Sequence, residues 1–177
     1  MKRVIREGCF ETNSSSMHSL VVKKKDSYYN EKPHLVRDCY INENGIIKVW
    51  DDEDIYFGRH PFRFLVSPYK KALYAIGALS ESIGDDAYNE VIEAMKIAYP
   101  NFEDFKFPSY NGKPEKPYSQ DYGRLKKFMN EKNITIKEFI LNEKYVVIVD
   151  GDEYCIWDDF KNSGLIDLNA IDYEYGF

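Results

Sequence analysis

A chain of 177 residues, 44% of them hydrophobic, is long enough for one self-sufficient core that buries roughly 70% of the surface its unfolded form exposes. Its net charge of −6 and pI of 5.2 separate it from typical basic nucleic-acid-binding domains. Cys9, Cys39 and Cys155 have no CxxC or Cys/His spacing, and the odd count argues against a secreted disulfide framework or a structural zinc site.

Met1 to Arg6 is followed by polar residues rather than the apolar run of a signal peptide, and no segment approaches the roughly 20 apolar residues of a membrane span. The cytoplasm of a host cell is the expected compartment, with no membrane partner. Charge is uneven: residues 1–25 hold six Lys/Arg against two acids, and residues 143–177 hold nine acids against two Lys. Such ends attract different partners by steering. The 15 Tyr and 11 Phe bring large faces with polar edges to core and surface alike.

In chain order, Val4-Ile5 and Ser19-Leu20-Val21-Val22 read as two short strands of a hairpin, with Glu11 to Ser16 as the polar loop between them. Ile46 to Trp50 reads as a strand. The turn Asn42-Glu43-Asn44-Gly45 precedes it and pairs it with Tyr40-Ile41. Ser67-Pro68 is an N-cap followed by a first helical residue. It launches a helix from Tyr69 to about Ser82, with Leu73, Ile76 and Leu79 inside, Lys70 and Lys71 outside, and Gly84 closing it.

Asp85 or Asp86 caps a second helix in which Tyr88, Val91, Ile92, Met95 and Tyr99 recur at helical spacing, and Pro100 ends it. Residues 100–118 carry Pro100, Pro108, Pro114 and Pro117 and read as a long surface loop. Leu125 to Met129 is a third helix, and Thr135-Ile136-Lys137-Glu138 has capping-box spacing for a fourth that ends near Asn142. Tyr145 to Val149 is the strongest strand pattern, with Val147 and Val149 expected in the core. Asp150-Gly151 turns it into a hairpin with Glu153 to Trp157, and a short helix follows over 158–164. The expected fold is one α+β domain: a mainly antiparallel sheet with about four helices. No glycine-rich phosphate loop follows a strand.

Residues 8–20 place an unusual concentration of hydrogen-bonding groups between two strand-like pieces. If 16–22 is extended, Ser16, His18, Leu20 and Val22 share a face, with His18 at the rim of the core. The plainer role for Asn13 and Ser14 to Ser16 is to shape a tight turn through side-chain to backbone bonds. Two chemical roles stand beside it. One is an anion site of turn amides, serine hydroxyls and Arg3 or Arg6; the other is a serine nucleophile activated by His18, with Glu11 as the orienting acid.

Asp51 to Asp54 and the Asp150, Asp152, Glu153 group offer carboxylates, but they lack the spacing and glycine of a calcium loop and read as solvated turns. No metal or cofactor is expected. Basic residues gather at Lys23 to Lys25, at Arg59 to Arg63, at Lys70-Lys71, and at Lys113, Lys116, Arg124, Lys126 and Lys127. Tyr110, Tyr118 and Tyr122 are interleaved with the last set. Cations that neutralise phosphates, next to aromatic faces that stack on bases, make this set the candidate contact for nucleic acid or a partner. Binding through so local a patch is expected to be weak and salt-dependent.

Arg6-Glu7-Gly8-Cys9-Phe10-Glu11-Thr12-Asn13-Ser14-Ser15-Ser16-Met17-His18-Ser19-Leu20 resembles the opening of small accessory proteins of phages and mobile elements in low-GC Gram-positive bacteria. The resemblance covers about fifteen residues and carries no catalytic assignments. It implies a host-directed role, in particular inhibition of CRISPR effectors of the Cas9-type nuclease class, with a host nuclease complex as partner. The residue patterns leave two alternatives: a small nucleotide- or phosphate-directed enzyme using Arg6, Glu11, Asn13, Ser14, Ser15, Ser16 and His18, or a structural phage component.

Overall fold

The helix launched at Ser67-Pro68 forms the centre of a computed structural model that describes residues 17–22, 39–49, 63–79, 85–110, 113–114 and 123–150. Ser67 is extended, at φ −75° and ψ 152°, and its hydroxyl accepts the Lys70 amide at 3.2 Å, so the cap forms as its sequence predicts. The helix, α1 (Pro68–Ala78), then buries Tyr69 and every residue from Lys71 to Gly77. A helix enclosed on so many sides is a core element rather than an amphipathic surface one. Leu79 caps its end, and residues 80–84, including the expected Gly84 stop, lie outside the described residues.

Helix α2 (Asp85–Ala98) buries Val91, Ala94 and Met95, half-buries Tyr88 and Ile92, and packs on α1. Asp85 and Asp86, the expected caps, are already helical, and the residues before them lie outside the described residues. Helix α3 (Arg124–Lys132) turns Leu125, Phe128 and Met129 inward. It closes at Asn133 in the left-handed region, φ 50°, which Asn tolerates better than most residues. Helix α4 (Ile136–Leu141) opens with the predicted capping box: the Glu138 amide donates to Thr135 Oγ1 at 3.1 Å, and Glu138 Oε2 accepts the Thr135 amide at 2.9 Å.

The strands do not form one mainly antiparallel sheet; those described fall into three small sheets, one of them parallel. In the largest, β7 (Tyr145–Asp150) lies between β1 (Met17–Val22) and β3 (Arg63–Leu65). Val147 stands opposite Leu20 on one side and Leu65 on the other, and all three are buried, which fixes the register. The hairpin partner expected for β1, Val4-Ile5, lies outside the described residues, as does the hairpin over 153–157. Val149 lies in β7 opposite His18, and its side chain is outside the described set.

The second sheet pairs β2 (Ile46–Lys48) in parallel with β4 (Asp104–Lys106), Ile47 opposite Phe105. A parallel pair needs a crossover, and α1 and α2 occupy the chain between these strands. The expected Ile41 partner survives only as a single antiparallel bridge to Ile47. The third sheet is the hairpin β5 (Ser109–Tyr110) with β6 (Lys113–Pro114). The segment read from its prolines as a loop therefore holds three short strands, and it sinks Phe102 and Phe105 into the core while Asn101, Glu103 and Ser109 stay exposed.

The turn before β2 follows its sequence closely. Asn42 Oδ1 accepts the amides of Asn44 and Ile46, each at 2.9 Å, and Gly45 takes φ +76°. Gly45 is also a contact: a Cβ there would lie 2.7 Å from the Asn101 carbonyl oxygen. One cluster of buried residues runs from Leu20 through α1, α2, Phe102, Phe105, α3 and α4 to Val147. Leu73, Ile76, Val91 and Met95 belong to it as predicted. No helix among the described residues is long and apolar enough to cross a membrane.

Candidate functional site

The opening motif meets the described structure where β1 begins. Met17 stands opposite Asp150 and His18 opposite Val149, so the last residues of the motif are held by β7. Arg6, Glu11, Asn13, Ser14, Ser15 and Ser16 lie outside the described residues.

The basic set divides. Lys113 is in β6, paired with Tyr110, while Lys116, Tyr118 and Tyr122 lie outside the described residues. On α3 the helical period separates the rest. Arg124 shares a side with Phe128, four residues on, and is only 5% exposed; Lys126 and Lys127 lie on the outer side and are exposed. Arg124 is thus a core residue rather than a contact residue. Helix α3 packs against both α1 and β1, which puts the outward lysines on an element next to the strand that continues the motif.

The charge that sequence reading misplaced is Lys71. Assigned to the outer face of α1, it is 1% exposed. Its Nζ donates to the carbonyl oxygens of Phe139 at 3.0 Å, Asn142 at 2.9 Å and Tyr145 at 3.2 Å. It also lies 5.8 Å from the centre of the Phe139 ring. An ammonium has three N–H donors, and here three carbonyls meet them. Burial lowers its pKa from 10.5 to about 7, against the opposing pull of Glu143. The available signal was the run of small residues Ala72, Ala75, Gly77 and Ala78, which lets neighbouring backbone close in where a surface helix carries charge.

Apart from Arg124, charge elsewhere among the described residues sits at or near the surface. Tyr88 donates to Asp104 at 3.0 Å, and burial, helped by that carboxylate, raises its pKa. Lys96 pairs with Glu103 at 2.8 Å and Lys137 with Glu93 at 3.5 Å, all four side chains being at least 41% exposed, so each pair contributes little. Among the described residues no group of three or more His, Cys, Asp or Glu converges as a metal site. Comparison with protein-family models, with curated proteins and with solved structures found no match to this chain.

Proposed function

We propose that this chain is a host-directed accessory protein of phage or mobile-element type that acts in the host cytoplasm. It binds and inhibits a nucleic-acid-processing machine, with a Cas9-type nuclease as the leading target. The observation that carries the reading is the opening string from Arg6 to Leu20, whose last residues run into β1. The exposed Lys126 and Lys127 on the adjacent α3 support it by offering a compact cationic contact. The acidic stretch from Glu143 onward suits basic protein channels, where complementary charge adds steering and specificity more than affinity.

The test is a pull-down from bacterial lysate containing CRISPR effectors, beside a nuclease assay with and without the protein. Recovery of the effector and blocked cleavage are expected, with both weakened as salt rises. Lys126→Glu with Lys127→Glu should reduce capture while leaving the fold intact. Uninhibited cleavage together with no recovered nucleic-acid enzyme would remove this reading.

A further inference from the structure

Lys71 reaches from the middle of α1 to a junction almost seventy residues away, where α4 stops and β7 starts. Helix α4 ends without a glycine, at an extended Asn142. The carbonyls of Phe139, Asn142 and Tyr145 converge there on one nitrogen within 3.2 Å. Helix ends leave carbonyls in need of donors, and here a side chain from another helix supplies them.

The three acceptors fit an ammonium and do not fit an amine. A neutral amine has two N–H groups and a lone pair, and the lone pair would face the third carbonyl oxygen. Loss of the proton is therefore incompatible with all three contacts at once. We propose that Lys71 is a proton-linked latch on the α4–β7 junction: the ammonium holds three carbonyls, and deprotonation frees one and loosens the start of β7.

Burial brings this exchange near neutral pH. Of the charges around the site, Glu143, in the turn that follows α4, favours the ammonium. Among the described residues the other charged groups on α4 and in that turn are engaged elsewhere: Lys137 with Glu93 of α2, Glu138 in the Thr135 capping box, and Lys144 over the Tyr145 ring at 5.7 Å. Arg124, on α3, is buried as well. The junction matters because β7 sets the register of both β1 and β3.

The experiment is an NMR titration of the full chain from pH 6 to 10, following the Lys71 side chain together with the amides of 139–147. The expected result is a shared midpoint near neutrality, with faster amide exchange at 142–146 above it beyond the rise that pH itself imposes. Glu143→Gln should lower that midpoint, and Lys71→Met should abolish the junction's pH response. If Lys71→Met does not fold, Glu143→Gln, at an exposed position, still decides. A Lys71 midpoint above about 9.5, close to an unperturbed lysine, would overturn the latch. So would junction amides that do not follow the Lys71 midpoint, or a midpoint unmoved in Glu143→Gln.

Discussion

Two helices each carry a pair of adjacent lysines, and the pairs meet opposite fates. In α3, Lys126 and Lys127 point to solvent while Leu125, Phe128 and Met129 fill the core. In α1, Lys70 is half-buried and Lys71 is enclosed. Periodicity alone assigns all four to the surface. The difference lies in what stands opposite: α1 is packed by α2, α3 and α4, and the end of α4 turns the Phe139 and Asn142 carbonyls toward Lys71. Burying a lysine costs several kcal/mol, and three charge-assisted hydrogen bonds offset much of it. A charged residue on a predicted helix is thus placed by the hydrogen-bond needs of its neighbours as much as by its own helix.

The largest expected effect breaks this contrast directly. Lys71→Ala removes the three donors and leaves a cavity, and should destabilise the chain by about 3 kcal/mol. Lys126→Ala, on an exposed position, should stay within about 0.5 kcal/mol. Urea unfolding of the two variants gives both numbers. Equal losses would mean that Lys71 does not carry the α4–β7 junction.

Next in size is the pH dependence of stability. The folded chain releases the Lys71 proton near pH 7, while the unfolded chain holds it to about 10.5. Between these values the unfolded state binds more protons, so stability rises with pH across that window and falls again as pH drops toward 7. The slope approaches about 1.4 kcal/mol per pH unit at most. Relative to Lys71→Met, the wild type should therefore gain stability between pH 7 and 9. Global stability rises even as the latch opens, because removing a buried charge outweighs one hydrogen bond of about 1 kcal/mol. A constant difference between the two proteins would show that Lys71 stays charged when folded.

Glycines at positive φ repeat the lesson on a smaller scale. Gly45 at φ +76° has Glu103 Cγ 2.6 Å from the position of a Cβ, whereas Gly123 at φ +83° has nothing within 4 Å. Gly45→Ala combines backbone strain with a clash against the Asn101 carbonyl oxygen and the Glu103 side chain, and should cost about 2–3 kcal/mol. Gly123→Ala carries the strain alone, about 1 kcal/mol. Thermal melts that rank them in the reverse order would contradict the close approach of this turn to residue 101.

What could be read in advance follows the same division between local and distant causes. The Ser67-Pro68 start, the Thr135 to Glu138 box, the Asn42 to Gly45 turn and the apolar spacing of α2 depend on neighbours a few residues away, and each appears where the sequence puts it. The parallel pairing of Ile47 with Phe105, the short β3 and the burial of Lys71 depend on partners about 60 to 85 residues distant, which no periodicity reveals. Of the candidate site, the outward lysines of α3 were legible because they share a helix with their apolar counterparts. Arg124 was not, because proline and tyrosine upstream drew it into a surface reading, whereas Phe128, four residues on, marks its inward side.

The smallest effect is expected at His18, the one described residue shared by the opening motif and the chemical alternative. It is held in β1 opposite Val149, in a register fixed two residues away by the buried pair Leu20 and Val147. His18→Asn keeps hydrogen-bonding capacity and similar size but removes titration near neutral pH. On the inhibitor reading the motif is a shaped surface, so the variant should fold, melt within a degree or two of the wild type, and still inhibit its target. Ser15→Ala should likewise cost only about 1 kcal/mol, the worth of one hydrogen bond. A histidine serving as general base behaves differently: the fold persists while activity falls by about a hundredfold or more. Melting curves set beside inhibition curves therefore separate the roles. Folded variants that have lost inhibition would move Glu11, Ser14, Ser15, Ser16 and His18 from framework to active site, and the Lys126–Lys127 face would no longer be the contact that inhibits.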